Sequence, residues 1–328
     1  MSGGTLDLDT ISRPIKDHLE QFNKVFRESM RSDIGLVDTV ARYILRQKGK
    51  KIRPMLVLLS AEVCGGINES TYRAAALVEL LHTATLIHDD VVDNANMRRG
   101  LASINAIWKN KVAVLMGDYL LSRGLLLSLT NEEFHFLRVS STAVKRMSEG
   151  ELLQIQKSRN FDIDELTYFR IISDKTASLI STCCEMGAIS ATDDPEKISR
   201  MRNFGEYLGL AFQIRDDVLD YEGESFLLGK PIGSDIKERK ITLPLIYAFQ
   251  NAPKEIKRNI IRLLRTGKRG AKIRDVVRFA QEYGGIEKAH QKAEEFLEKA
   301  RLEIVGFPES EAKDSLMKLA GFVVERVS

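Results

Sequence analysis

Apolar residues recur every three or four positions along nearly the whole chain, and almost no segment alternates with a period of two. This pattern predicts helices near 10–30, 35–47, 54–64, 70–94, 103–130, 132–157, 163–191, 195–222, 240–251, 254–266, 271–284, 287–304 and 309–326. Boundary residues agree. Asp194-Pro195-Glu196 supplies an N-cap, a proline at the first helical position and an acid in the first turn. Asp162 with Glu165 is a capping-box pattern opening a run to about Ser190. Cys64-Gly65-Gly66 closes the helix that begins at Pro54. The longest irregular stretch, about 222–240, is glycine-rich and charged, and a loop of that length is usually functional or disordered. With no segment resembling a domain linker, the expectation is an all-α helical bundle forming a single domain over 1–328. Its motif-bearing core would lie at about 35–250, with C-terminal helices at 254–326 packed on it.

Composition narrows the class of protein. The 328 residues are 44% hydrophobic and 29% charged with only 7 Pro, which excludes a disordered or collagenous chain. Forty-nine basic against 46 acidic residues leave a net charge of +3, so no nucleic-acid partner is expected and any anion site must be a local cluster. Cys64, Cys183 and Cys184 form no CxxC pattern, which fits a reducing, cytoplasmic setting. No uninterrupted apolar run reaches the roughly 18 residues that span a bilayer, and MSGGTLDLDT lacks a signal pattern, so no transmembrane segment is expected.

Two helices, 70–94 and 195–222, are apolar nearly all round, as a helix central to a large bundle would be. Charge within them is costly and needs a reason. The first carries His88-Asp89-Asp90-Val91-Val92-Asp93 and the second Arg215-Asp216-Asp217-Val218-Leu219-Asp220, both DDxxD. On a helix, positions i and i+4 share a face, so Asp89 projects with Asp93 and Asp216 with Asp220, Asp90 and Asp217 lying alongside. Like charges at that spacing destabilise a helix unless a cation neutralises them. Carboxylate oxygens suit Mg²⁺, which keeps waters and shares its shell with substrate phosphates. A solvated acidic helix end would explain one copy; two, both on apolar helices, are harder to dismiss. There is no Glu-x-x-His pair for a di-iron bundle and no EF-hand loop glycine.

Cations lie where phosphates would need them. Gly49-Lys50-Lys51-Ile52-Arg53-Pro54 enters a helix, whose first backbone N–H groups favour anions. Met97-Arg98-Arg99-Gly100 follows the first acidic cluster, Lys175-Thr176 sits in an apolar helix, and the long loop offers Lys230 and Lys240. Arg suits bidentate phosphate contacts, whereas Lys acts as a point charge. His82 lies two turns before Asp89 on roughly the same face.

In order, these motifs resemble the trans-isoprenyl diphosphate synthases (polyprenyl synthetases). Lys48-Gly49-Lys50-Lys51-Ile52-Arg53-Pro54 resembles that family's GGKRxRP, with Lys48 and Lys51 departing from it. Glu79-Leu80-Leu81-His82 through Asp93 and on to Gly100 resembles the first aspartate-rich motif. Met116-Gly117-Asp118, Glu149-Gly150-Glu151 through Gln154, and Lys175-Thr176 match quieter segments. Phe212-Gln213 through Asp220 resembles the second aspartate-rich motif, and Gly229-Lys230-Pro231-Ile232-Gly233-Ser234-Asp235 with Lys240 resembles the loop beyond it.

The resemblance implies the isoprenoid synthase fold, helices around a central cavity. It implies a Mg²⁺-dependent enzyme (Mn²⁺ substituting) that condenses isopentenyl diphosphate with an allylic diphosphate, head to tail and in E configuration. Asp89, Asp93 and Asp216 would bind Mg²⁺, supported by Asp90, Asp217 and Asp220. Arg98, Lys175, Lys230 and Lys240 would hold the allylic diphosphate, and Lys50, Arg53, His82 and Arg99 isopentenyl diphosphate. Thr176 and Gln213 would line the reacting centre, and a homodimer is the family's assembly. Short-chain members block the level of Ala84 and Thr85 with an aromatic ring. Here both are small, and Phe136 is the first bulky residue on the face Gln154, Glu151, Met147, Ala143, Ser140, Phe136 that could form a floor. A long-chain product is therefore expected. The alternatives are a short-chain (farnesyl or geranylgeranyl) synthase, a non-catalytic subunit of a heteromeric synthase, a terpene cyclase and a head-to-head synthase. The loop at 49–54 argues against the last two.

Overall fold

A computed structural model of the chain describes residues 8–47, 49–98, 100–158, 163–222, 236, 240–266 and 271–324. In chain order the helices are α1 (Leu8–Ser12), α2 (Lys16–Ser29), α3 (Gly35–Arg46), α4 (Ile52–Cys64), α5 (Glu69–Val92), α6 (Ile104–Thr130), α7 (Phe134–Ser158) and α8 (Glu165–Ile172). A five-residue π segment (Ser173–Ala177) leads into α9 (Ser178–Ala191), followed by α10 (Pro195–Glu222). Then come α11 (Leu243–Asn251), α12 (Lys254–Thr266), α13 (Ala271–Glu282), α14 (Gly285–Val305) and α15 (Glu311–Val324). Among the described residues the only sheet is a ribbon of β1 (Met97–Arg98) antiparallel to β2 (Leu101–Ala102). The fold is all-α, as the periodicity requires.

Three boundaries differ from the sequence expectation for physical reasons. The predicted 10–30 helix breaks at Pro14, which lacks a donor and crowds the preceding turn, leaving a short 3₁₀ turn over Arg13–Ile15. Helix α8 is capped by Asp164, whose carboxylate accepts from the Thr167 amide at 2.8 Å; Asp162 lies outside the described residues. The predicted 163–191 helix is interrupted by the π segment. Asp194 caps α10 as its position suggests, accepting from the Glu196 amide at 2.9 Å.

The polypeptide forms two compact units. Unit 1 comprises 1–142, 179–202 and 306–319; unit 2 comprises 143–178, 203–305 and 320–328. Unit 1 is organised by α5, which starts on a capping box in which the Asn68 carboxamide accepts from the Thr71 amide and the Thr71 hydroxyl accepts from the Asn68 amide. Its Leu80, Ala84 and Ile87 pack with Met30, Val40 and Ile44 of the α2–α3 region and with Met116 and Leu120 of α6. Fully burying a side chain such as Leu80 contributes about 1.5–3 kcal/mol. In unit 2 the apolar face of α10 (Leu210, Ile214, Val218) packs with α11, α13 and α14.

By length and composition α6 could cross a membrane, although Asp118 and Arg123 fall inside its apolar stretch. It is kinked at Lys109 (φ 70°, ψ 163°). Ile107, Val114, Leu115, Leu125, Leu126 and Leu129 form an exposed apolar stripe along it.

Candidate active site

In unit 2 the walls of one cavity, about 380 Å³, gather residues from four parts of the sequence. Lys175 and Thr176 come from the π segment, Gln213, Asp216, Asp217 and Asp220 from the last turns of α10, Gln154 from α7, and Lys240 from the segment before α11. Ile163, Ile171, Ile172, Leu219 and Ile241 supply an apolar wall. Every described unit 2 residue assigned to substrate or metal from the sequence lines this cavity. Lys230 lies outside the described residues.

The side chains are cross-linked. The Thr176 hydroxyl donates to Gln213 Oε1 at 2.7 Å, and Gln213 Nε2 donates to Asp217 Oδ1 at 2.8 Å. The Tyr168 hydroxyl donates to Asp217 Oδ2 at 2.7 Å. Asp217, only 4% exposed, thus has both oxygens engaged by its neighbours. Lys175 Nζ donates to Gln154 Oε1 at 2.8 Å and pairs with Glu151.

Unit 1 treats its own middle aspartate in the same way. Asp90, 3% exposed, accepts from Arg98 Nε at 2.9 Å and from Nη2 at 2.5 Å. The ribbon that returns Arg98 to Asp90 turns at Gly100 (φ +77°). It is pinned by Asn105, whose Nδ2 donates to the carbonyls of Asp90 and Ala95. In each motif, then, the middle acid is a buried strut. Asp89 and Asp93 are exposed, and Asp216 is half-buried in the cavity wall.

In α5 the outer acids stand at the unfavourable end, Asp89 in the last turn and Asp93 as the C-cap. A helix C-terminus carries about half a negative charge, so both carboxylates are repelled by their own helix as well as by each other. Among the described residues no three Asp, Glu, His or Cys side chains converge closely enough to hold a metal ion by themselves.

The other unit 1 residues are placed as follows. Lys50 is exposed, Arg53 half-buried in the first turn of α4, and His82 6% exposed on α5. Arg99 lies outside the described residues. Lys51 takes φ +50° as the N-cap of α4 and donates to Asn23 Oδ1 at 2.7 Å. Burial lowers its pKa, partly offset by nearby Glu79. The His88 ring approaches Gly117 of α6, where a Cβ would come within 2.2 Å of the imidazole Nε2. That contact explains the glycine of Met116-Gly117-Asp118. Ala84 is fully buried in the unit 1 core, whereas Thr85 is half-buried, its hydroxyl donating to the His82 carbonyl at 2.9 Å. Phe136, Ser140 and Ala143 are buried on one face of α7.

Sequence reasoning missed Tyr168 and Thr242, which line the unit 2 cavity from positions with no charge pattern.

The chain is 37% identical over 318 residues to an all-trans-nonaprenyl-diphosphate synthase of Rhodobacter capsulatus, covering 97% of both proteins. It is 35% identical over 321 residues to the octaprenyl diphosphate synthase of Escherichia coli, covering 98% of this chain and 99% of the relative. A crystal structure of a decaprenyl diphosphate synthase from Rhodobacter capsulatus superposes with a TM-score of 0.92 at 33% identity, covering 98% of this chain and all of that one. Residues 35–282 match the polyprenyl synthetase family model, and the chain belongs to that family.

Proposed function

We propose that this protein condenses isopentenyl diphosphate with an allylic diphosphate, head to tail and repeatedly, to release a long polyprenyl diphosphate with E double bonds. The observation that carries the reading is the unit 2 cavity, where two lysines and the second aspartate motif meet an apolar wall. Lys175 and Lys240 bind the allylic diphosphate there. The Thr176 and Gln213 side chains, tied to each other and to Asp217, fix the polar edge of the reacting centre. The isoleucine wall keeps water from a cationic intermediate. In unit 1, Lys50, Arg53 and His82 hold isopentenyl diphosphate, and Asp90 fixes the guanidinium of Arg98.

The donor set fits Mg²⁺: exposed Asp89 and Asp93 and half-buried Asp216 offer hard carboxylate oxygens, and Mg²⁺ takes one or two carboxylates with its remaining ligands from water and phosphate. Asp89 and Asp93 in unit 1, and Asp216 in unit 2, would each hold such an ion. Bound there, Mg²⁺ would neutralise the charge developing on the departing diphosphate. Incubating the purified chain with isopentenyl and farnesyl diphosphates should yield, by mass spectrometry, polyprenyl diphosphates longer than the primer. No elongation would overturn the proposal.

The basic loop serves one substrate. Arg53→Ala should raise KM for isopentenyl diphosphate on the order of tenfold, the loss of one charge-assisted contact. KM for the allylic partner should stay within twofold. An equal rise in both would reduce these cations to surface charge.

We also read the protein as a cytoplasmic homodimer. The exposed stripe on α6 is the kind of face a second copy covers. Three buried free cysteines suit a reducing compartment, burial holding the thiols of Cys64 and Cys184 up at about 12. Leu126→Glu, at a residue 51% exposed, should convert a dimer to monomer in sedimentation.

A further inference from the structure

The π segment Ser173–Ala177 interrupts the predicted 163–191 helix at four consecutive polar residues, Ser173-Asp174-Lys175-Thr176. A π turn inserts one residue, so side chains beyond it are turned by roughly 100° from where a continuous α-helix would put them. Lys175 and Thr176 both lie on the insertion. Such turns are rare and need something to hold them.

Two helices of unit 2 supply that hold. On one side, Gly150 of α7 lets its backbone approach so closely that a Cβ would sit 3.0 Å from both Asp174 Cβ and the Lys175 amide nitrogen. On the other, a Cβ at Gly209 of α10 would sit 2.5 Å from Ala177 Cα. One turn away on each helix is a charged partner. Arg146 Nε donates to Asp174 Oδ1 at 2.8 Å, Nη2 donates to the Ser173 hydroxyl at 2.7 Å, and Nη2 and Nη1 donate to the Glu206 carboxylate at 2.8 and 3.2 Å. Ser173 in turn donates to Glu206 Oε1 at 2.5 Å. All three ionic groups are half-buried, so solvent screens them only in part. None of them lines the cavity.

We propose that Arg146, Asp174 and Glu206 form a clamp that holds the π turn and so aims Lys175 and Thr176 into the cavity. They are positioning residues. The proposal rests on the prenyl-transfer reading only for its kinetic consequence; the clamp itself is a statement about the backbone of 173–178.

The experiment compares the full-length protein with Arg146→Ala, Arg146→Lys and, as a control, Arg170→Ala, whose exposed guanidinium also approaches Asp174, at 3.8 Å. Arg146→Ala should speed amide hydrogen exchange in a peptide spanning 173–178 at least tenfold, with α14 unchanged. It should raise KM for the allylic diphosphate about tenfold while KM for isopentenyl diphosphate stays within twofold, because the latter's cations lie in unit 1. Arg146→Lys should recover part of both effects, and Arg170→Ala should show neither. Should Arg146→Ala not fold, Glu206→Gln, which keeps the shape and removes the charge, should move both readouts the same way by less. Unchanged exchange, or an equal rise in both KM values, would overturn the clamp. Wild-type protein inactive toward both substrates would overturn the functional reading instead, leaving the exchange result to decide the clamp alone.

Discussion

Asp216→Ala and Asp89→Ala should each cut turnover on the order of a thousandfold, the scale of losing a group that stabilises charge at the reacting centre. They should do so without unfolding the protein. Asp89 is exposed at the end of α5, and Asp216 sits in a cavity wall near the end of α10, so neither deletion opens a core cavity. Asp89→Ala also removes a negative charge from the last turn of α5, a change worth roughly 0.3–1 kcal/mol in favour of the fold. The expected signature is an unchanged or slightly raised Tm with lost activity. Asp217→Ala should do the opposite to stability. It leaves the Tyr168 hydroxyl and Gln213 amide short of an acceptor at a residue 4% exposed, a loss of about 1–3 kcal/mol. Metal enters through a second readout. Mg²⁺ with inorganic diphosphate should raise the wild-type Tm, by linkage to the bound state, and fail to do so for Asp216→Ala. EDTA should abolish turnover, and Mg²⁺ or Mn²⁺ should restore it. Full activity in EDTA, or in either outer-acid variant, would sink the metal assignment.

The contrast between outer and middle acids marks where sequence reading stops. Spacing alone puts Asp89, Asp90 and Asp93 near one end of one helix. What separates them is that Arg98, brought back by a turn at Gly100, occupies Asp90, and nothing in a helical period foretells a ribbon of two-residue strands. Tyr168 is a similar case: its hydroxyl matters because of Asp217, a partner 49 positions away. Helices, by contrast, are legible wherever period and cap agree. The α7 face carrying Phe136, Ser140 and Ala143 is buried, as its three- and four-residue spacing implies. The π turn is not legible, because apolar residues resume at Ala177 and Leu179 after a short polar run, and what holds the turn comes from Gly150, Gly209 and Arg146 on other helices. The capping box at Asn68 escapes the pattern for a smaller reason. Thr71 replaces the usual Glu or Gln, with the Thr hydroxyl accepting from the Asn68 amide.

Thr85→Phe should shorten the product from a long polyprenyl chain to geranylgeranyl diphosphate or less. Thr85 stands one turn before Asp89, about 6 Å back along the axis of α5 and on the same face, where a tail growing away from the metals would first pass. It is half-buried, and its hydroxyl makes only a local bond to the His82 carbonyl, so a ring placed there blocks a path at little cost to the fold. Ala84 is a poorer probe than its neighbour. It is fully buried among Leu80, Ile87, Ile104 and Met116, and Ala84→Tyr would overpack that cluster at a cost of about 1–3 kcal/mol. A shorter product from Ala84→Tyr would therefore have to be separated from simple instability; from Thr85→Phe it would not. Phe136, the floor expected from the α7 face, is 2% exposed, so Phe136→Ala carries a core penalty of about 3–5 kcal/mol and Phe136→Leu is the companion to measure. Both should lengthen the product if Phe136 is the floor. Mass spectrometry of the products made from isopentenyl and farnesyl diphosphates reads all of these variants together. A wild type that stops at farnesyl or geranylgeranyl diphosphate would show that small residues at 84 and 85 do not open the path. Silence at Phe136 alone, with Thr85→Phe short, would leave the path in place and move its floor elsewhere.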